Sequence, residues 1–361
     1  MKNYFFTSES VTEGHPDKIC DKISDKILDV ALSKDKNCHM AIEASIKDNL
    51  ILLFGETNIK ENIDYEKIAR EVLKDIGYND EFNIMMKISR QSREINDAVS
   101  KKKICAGDQG IMFGYACVET KELMPLPISL ANKLAEQLTK VRKSNDNSFL
   151  KPDGKTQVTV EYENDLPKRI DTIVIACQHE KYVSRKQLEK FIKKEVIGPI
   201  LPTYLCDSNT KILINTSGSF IIGGPFADSG TTGRKIVADS YGGMGRVGGG
   251  CFSSKDPSKV DRSAAYYARY VAKNIVAKGL ADRCEIGVSY AIGQEIPINI
   301  FIETFGTNKT ELNEIVKFVN NNFNFSVDNI IKELDLRKPI YYDLAAYGHF
   351  GRIGYSWERI I

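Results

Sequence analysis

Apolar residues recur every three to four positions over Pro16–Ser33, Pro127–Lys143 and Asp261–Lys278, the spacing of a helix that buries one stripe. Each stretch is followed by two runs with the character of strands: Met40–Lys47 with Leu50–Glu56, Gln157–Glu163 with Arg169–Cys177, and Cys284–Ile292 with Pro297–Thr304. Helical spacing resumes over Asp64–Gly77, Ser184–Ile197 and Lys309–Phe323. The order helix, strand, strand, helix therefore occurs three times, at intervals of roughly 110 to 135 residues. This predicts an α+β protein of three structurally related modules, each a small, mostly antiparallel sheet with helices on one face. The divisions expected are 1–100, 106–222 and 223–361, with segments free to interleave. Ser89–Gln109 has no clean period and carries Lys101, Lys102 and Lys103, so a mobile loop is expected over 91–105.

Two local patterns reach toward chemistry. If Asp48-Asn49 forms the first hairpin turn, Glu43 faces Phe54 and lies diagonal to Glu56, which puts both carboxylates on one sheet face. Such a pair needs a cation or ammonium nearby, unless the face is simply hydrated or the register differs. The first helix carries an apolar line (Ile19, Ile23, Ile27), an acidic line (Asp17, Asp21, Asp25, Asp29) and a basic line (Lys18, Lys22, Lys26). Most of those charges are expected to be solvated. Asp17 and Lys18 are set apart because Pro16 suits the first helical position, leaving His15 at the mouth of a helix N-terminus where an anion can dock.

Composition removes several alternatives. Fifty basic and 48 acidic residues leave a net charge of +2, too balanced for a nucleic-acid binder that relies on a basic field. No run of eighteen apolar residues occurs, and Met1–Thr7 lacks the apolar core of a signal peptide, so a cytoplasmic protein with no membrane partner is expected. The eight cysteines include no CxxC pair, which argues for reduced thiols rather than zinc or a disulfide framework.

Three distant segments combine glycine with cations and carboxylates: Gly14-His15-Pro16-Asp17-Lys18, Gly230-Thr231-Thr232-Gly233-Arg234-Lys235, and Lys255-Asp256-Pro257-Ser258-Lys259-Val260-Asp261. Glycine admits close backbone approach to an anion, cations neutralise it, and aspartates hold a hard metal, so together they describe a polyphosphate site. Singly, each has a plain structural reading as a cap or a glycine turn beside surface lysines. The tract Gly223–Gly250 contains no GxxxxGK[ST], and its glycines do not read GxGxxG after a strand, so neither a Walker loop nor a dinucleotide fingerprint is supported.

Over nearly its whole length the chain resembles the methionine adenosyltransferases, also called S-adenosylmethionine synthetases. The resemblance rests on Phe6–Lys18, on Ala106–Gly110 with Met112–Ala116, on Asp153–Val158, on Gly223–Pro225 through Arg234-Lys235, and on Gly248–Ser253 running into Lys255–Asp261. It implies a pseudo-threefold fold and a reaction in which methionine sulfur attacks the 5′ carbon of ATP and expels triphosphate, which is then hydrolysed to phosphate and diphosphate. Carried over residue by residue, it makes His15, Lys155, Lys255 and Lys259 catalytic. ATP would be bound by His15, Asp153, Lys155, Ser219, Phe220, Asp228, Arg234, Lys235, Cys251 and Lys255. Methionine would meet Glu56, Gln91, Asp228 and Lys259. Two Mg2+ per site would be held by Asp17 and Asp261, and one K+ by Glu43. A homodimer or homotetramer with active sites at the dimer interface is also implied.

The chain departs from the family pattern at Lys102–Ala106, where relatives have a glycine-rich lead, at Ser219, where many have arginine, and at Arg93, where proline is common. Two rival readings share the same cations: a noncatalytic nucleotide-binding regulator and a polyphosphate hydrolase or phosphotransferase.

Overall fold

A computed structural model describes residues 3–90, 104–144 and 148–361. In chain order its main elements are β1 (Asn3–Val11), α1 (Pro16–Lys34), β2 (Met40–Lys47), β3 (Leu50–Thr57), α2 (Tyr65–Ile76), β4 (Asn83–Arg90) and β5 (Gly110–Cys117). There follow α3 (Leu126–Lys143), β6 (Leu150–Glu163), β7 (Leu166–His179), α4 (Arg185–Phe191), β8 (Lys211–Ile214), β9 (Gly230–Thr231) and α5 (Ile236–Asp239). The chain ends with α6 (Val260–Ala277), β10 (Arg283–Tyr290), β11 (Asn299–Glu303), α7 (Leu312–Asn322) and α8 (Val327–Glu333).

The three predicted repeats are present, each with a long helix laid on its own sheet. The sheets run β4-β3-β2-β9, β1-β6-β7-β8 and β11-β10-β5. Helix α1 packs on β2 and β9, α3 on β6 and β1, and α6 on β5 and β10. Every sheet borrows an edge strand from a distant segment. β1 pairs with β6, β5 with β10, and Thr231 of β9 with Ser45 of β2. Two of the pairings, β3 with β4 and β7 with β8, are parallel. The predicted helix over Ser184–Ile197 is α-helical only to Phe191 and continues as a wider π turn over Ile192–Ile197.

Apolar burial forms two cores. The larger joins the N-terminal sheet and α1 to α6 and the C-terminal helices, centred on residues such as Ile23, Leu53, Tyr266 and Trp357. The smaller lies between α3, β6 and β7, with Leu134, Val158 and Ile173 fully buried.

The expectation that the charges of α1 are mostly solvated is corrected. Asp17, Lys18, Asp21, Lys22, Asp25 and Asp29 are all buried. The four aspartates each accept backbone N–H groups from loops of the C-terminal half: Thr231 to Asp17 at 3.0 Å, Gly233 to Asp21 at 2.8 Å, Ser254 to Asp25 at 3.0 Å, and Tyr341 to Asp29 at 2.9 Å. Lys18 also turns inward, donating to Asp21 at 2.9 Å and to Asp239, so it is not available to an anion at the helix mouth. Asp25 holds Arg262 through both carboxylate oxygens, at 2.8 and 2.7 Å, with both side chains removed from solvent. A buried charge is tolerated only when paired and hydrogen-bonded, and these are.

Candidate active site

The site begins at the N-terminus of α1. His15 is its N-cap, with extended backbone, and Pro16 occupies the first turn. His15 Nδ1 accepts the Asp17 backbone N–H at 3.2 Å, so a neutral ring carries its proton on Nε2, where it is free to donate. Burial, aided by the charges of Lys235 and Lys155 and opposed by those of Asp17 and Asp228, lowers the imidazole to about 4. His15 is therefore a neutral donor near pH 7 rather than a cation.

Asp17 sits in the first turn. Burial pushes its carboxyl upward, but the hydrogen bonds from Lys235 and from the Thr231 N–H, with the Lys235 charge, outweigh it and hold it below the usual carboxylate range. Arg234 Nε stands 3.7 Å from the same carboxylate. The loop bearing Arg234 and Lys235 reaches this point because Gly230 presses on the backbone of Pro16 and Asp17, where a Cβ would come within 2.2 Å of the Pro16 carbonyl. Gly233 adopts φ +82° and rests against Cys251.

Three further groups adjoin. Lys155 lies on β6 opposite Val11, within electrostatic reach of His15 and Asp153. Burial raises the Asp153 carboxyl, against the pull of the Gly224 N–H and of Lys155. Its Oδ2 accepts the Gly224 N–H at 2.7 Å, while its buried Oδ1 has no hydrogen-bond partner among the described residues. Asp228 is exposed beside them, acting on both His15 and Asp153 through its charge.

The second cation group lies along the edge of β2 that faces away from β3. A bridge from Ala41 to Lys255 brings the Lys255 backbone two residues from Glu43, next to the β9 pairing at Ser45. Lys255 Nζ pairs with Asp261 at 2.5 Å, and Asp261 packs on Gly250. Burial pushes the Cys251 thiol up to about 11, with Lys255 pulling the other way and Asp21 and Glu43 adding to the rise. Lys259 is the N-cap of α6 and lies against Gly107. Its neighbour Asp256 accepts the Met40 and Ser258 N–H groups at 2.9 and 2.8 Å. Burial alone would raise that carboxyl; His39, the Lys259 charge and Ser258 hold it well below the usual range.

The hairpin register is as expected, with Glu43 facing Phe54 and Glu56 facing Ala41. Both carboxylates are half-buried on the face turned away from the core, since Ile42, Ala44 and Leu53 fill the other. Phe220 is half-buried, its N–H donating to His179 Nε2 at 3.3 Å, and Ser219 is exposed beside it. Gln91, Arg93 and Lys101 to Lys103 lie outside the described residues, as does most of the predicted 91–105 loop. Sequence reasoning missed Asp21, Asp25 and Asp256 as holders of the cation-bearing loops. Their signal was the four-residue aspartate repeat and the position of Asp256 ahead of a helix start.

Among the described residues no three His, Cys, Asp or Glu side chains gather as a ready metal cage. Asp17 and Asp261 are separate oxygen donors, each beside a lysine. That suits a hard ion that completes its shell with substrate phosphates and water rather than one caged by protein. Nor is any helix of the described residues long and apolar enough to cross a membrane.

Comparison with known families covers this whole arrangement. The family models described as S-adenosylmethionine synthetase N-terminal, central and C-terminal domains match residues 3–102, 103–220 and 222–359 in that order. Their succession along one chain, over the three sheets and the cation-bearing loops between them, shows that this protein belongs to the S-adenosylmethionine synthetase family, transferases that form S-adenosylmethionine from ATP and methionine.

Proposed function

We propose that the cluster at the start of α1 binds the triphosphate of ATP and that the chain works by direct displacement. A lone pair on the methionine sulfur forms the bond to C5′, the C5′–O5′ bond breaks, and its electron pair leaves with the triphosphate. Water then cleaves the triphosphate to diphosphate and phosphate. Sulfur needs no deprotonation, so the barrier falls through alignment and through charge stabilisation on the departing oxygens. The observation that carries this reading is the convergence of the neutral donor His15, Lys235, Arg234 and Lys155 at one helix N-terminus.

In this reading the Nε2–H of His15 donates to the leaving oxygen, and Lys155, Arg234, Lys235 and Lys255 neutralise the polyphosphate. At about 4 Å and an effective dielectric near 20, each unit pair is worth roughly 4 kcal/mol, so several together supply a large share of the rate enhancement. The unpartnered Oδ1 of Asp153 supports a nucleoside contact, since a sugar hydroxyl would satisfy it. Phe220, Ser219 and the backbone at Cys251 complete the nucleotide site, and Glu56, Gln91, Asp228 and Lys259 that for methionine. The family uses metal ions; we assign two Mg2+ to Asp17 and Asp261 and one K+ to Glu43. Bound there, they would offset phosphate and carboxylate charge.

The half-buried sheet face bearing Glu43, Phe54 and Glu56, with Leu52 beside them, supports a homodimer whose interface completes the site, alone or paired into a tetramer. Domain divisions near residues 100 and 222 and a cytoplasmic location belong to the same reading. Incubation with ATP, Mg2+, K+ and methyl-labelled methionine tests it. Label must pass into S-adenosylmethionine, with phosphate and diphosphate released and little product from His15→Ala. Label that stays in methionine while phosphate appears would identify a hydrolase instead, and sedimentation as an active monomer would refute the interface site.

A further inference from the structure

The cations assigned to the polyphosphate sit on two loops with little regular structure of their own, the single bridge from Lys255 to Ala41 apart. Gly233-Arg234-Lys235 follows the two-residue strand β9, and Ser253-Ser254-Lys255 follows the glycine tract. Both are tied to the same helix at successive turns. Asp21 Oδ1 accepts the Gly233 N–H at 2.8 Å, one and two residues ahead of the cations. Asp25 accepts the Ser254 N–H at 3.0 Å and the Ser253 hydroxyl at 2.9 Å, immediately ahead of Lys255. Between them Ser24 Oγ meets Thr232 Oγ1 at 2.9 Å. Residues four apart on a helix are separated by about 6 Å along its axis, so the acidic line works as a ruler with one carboxylate per loop. Each carboxylate is itself braced, Asp21 by Lys18 at 2.9 Å and Asp25 by Arg262.

We infer that Asp21 and Asp25 are positioning residues that set the spacing of the Arg234/Lys235 pair and Lys255 by gripping the backbone beside each. This rests on the proposed polyphosphate role of those cations. It adds that the geometry is imposed by a helix buried beneath the site, through residues that touch no substrate. Preorganisation of this kind counts because charges fixed in place lose nothing to reorganisation as the leaving group develops.

The test uses the full-length enzyme and inorganic tripolyphosphate as probe, with affinity measured by calorimetry per folded site. Lys235→Ala should weaken binding about tenfold, and Asp21→Leu, which removes the acceptor but keeps the branched shape, by a similar factor of about ten. Asp21→Asn, which retains a carbonyl acceptor for Gly233 while Lys18 keeps Asp239, should recover most of that loss. In the Lys235→Ala background Asp21→Leu should cost about threefold or less, because one of the two cations it positions is gone and only Arg234 is left to misplace. A general loss of structure would instead add in full, so additivity overturns the inference, as does unchanged affinity in folded Asp21→Leu. If Lys235→Ala itself leaves tripolyphosphate affinity unchanged, the polyphosphate reading fails first and takes the inference with it. Should Asp21→Leu not fold, amide exchange in the unaltered protein decides. Gly233 and Ser254 must be protected like the interior of α1, and exchange as fast as the exposed loop residues Lys60 and Glu61 refutes the grip.

Discussion

Helices α1 and α2 both carry charges at four-residue spacing, yet they use them in opposite ways. On α2, Arg70 pairs with Glu66 at 2.7 Å with nearly half of each side chain in water, while Ile68, Val72 and Ile76 face the core. This is an ordinary amphipathic surface helix whose ion pair is worth little. On α1 the same repeat is sealed inside the protein, and its aspartates read backbone N–H groups supplied by residues 231 to 342. A charge repeat in the sequence thus describes a helix face but not its surroundings. What separates the two helices is how much chain arrives later to cover them.

Mutation should expose that contrast most strongly at Asp25. Asp25→Ala strands the Arg262 guanidinium in the core and should cost about 3 to 5 kcal/mol, seen as a large fall in melting temperature. Replacing Asp25 and Arg262 together with apolar residues should recover much of it; no recovery would show that the loop contacts, rather than the buried charge, dominate. Next come the charges proposed to face substrate instead of backbone. Lys155→Ala or Lys259→Met should lower kcat about 100-fold with little change in melting temperature, and a loss below about threefold would remove the assigned role.

A smaller effect should follow pH. An unfolded histidine protonates near 6.5 and buried His15 only near 4, so between those values the unfolded state binds more protons. Stability should therefore decline as pH falls from about 6.5 to about 4, and His15→Gln should remove that part of the slope. Asp29 acts in the opposite sense, its carboxyl raised to about 6 by burial against the pull of the Tyr341 and Tyr342 N–H groups, so its contribution is lost as pH rises toward 6. Nuclear resonance of the His15 ring separates the two, and a midpoint near 6.5 would contradict the buried neutral form. Least affected should be α2. Glu66→Ala or Arg70→Ala should change stability by no more than about 0.5 kcal/mol, and any change should shrink in high salt.

The long helices and the three hairpins were legible because their signals are local: apolar spacing for α1, α3 and α6, and a two-residue turn that fixes Glu43 opposite Phe54. Strands β1, β4, β5 and β8 carried no such local signal. They are single strands outside any hairpin: β1 and β5 pair with strands far away in the chain, β5 with β10 some 170 residues later by number (Tyr115 with Glu285), while β4 and β8 lie parallel to the preceding strands β3 and β7. The candidate site divides in the same way. Glycine beside cations singled out Gly230–Lys235 and Lys255–Asp261 as candidate anion-binding segments, hairpin geometry put Glu43 and Glu56 on one face, and resemblance alone supplied Lys155 and Asp153. None of these revealed that Lys18 turns inward to Asp21 and Asp239, the latter more than 200 residues away, or that Asp21 and Asp25 hold the loops, since the groups they hold are backbone amides, which the aspartate repeat by itself does not name.

The borrowed edge strands also bear on how the chain is made. As residues emerge from a ribosome, β1 waits for β6 at residues 150 to 163, and the outer edge of β2 stays open until residues 230 and 231 arrive. Until then the nascent N-terminal sheet displays unpaired N–H and C=O groups that could capture another chain. Cutting this protein at the boundaries of its repeats would therefore yield sticky fragments rather than three independent domains.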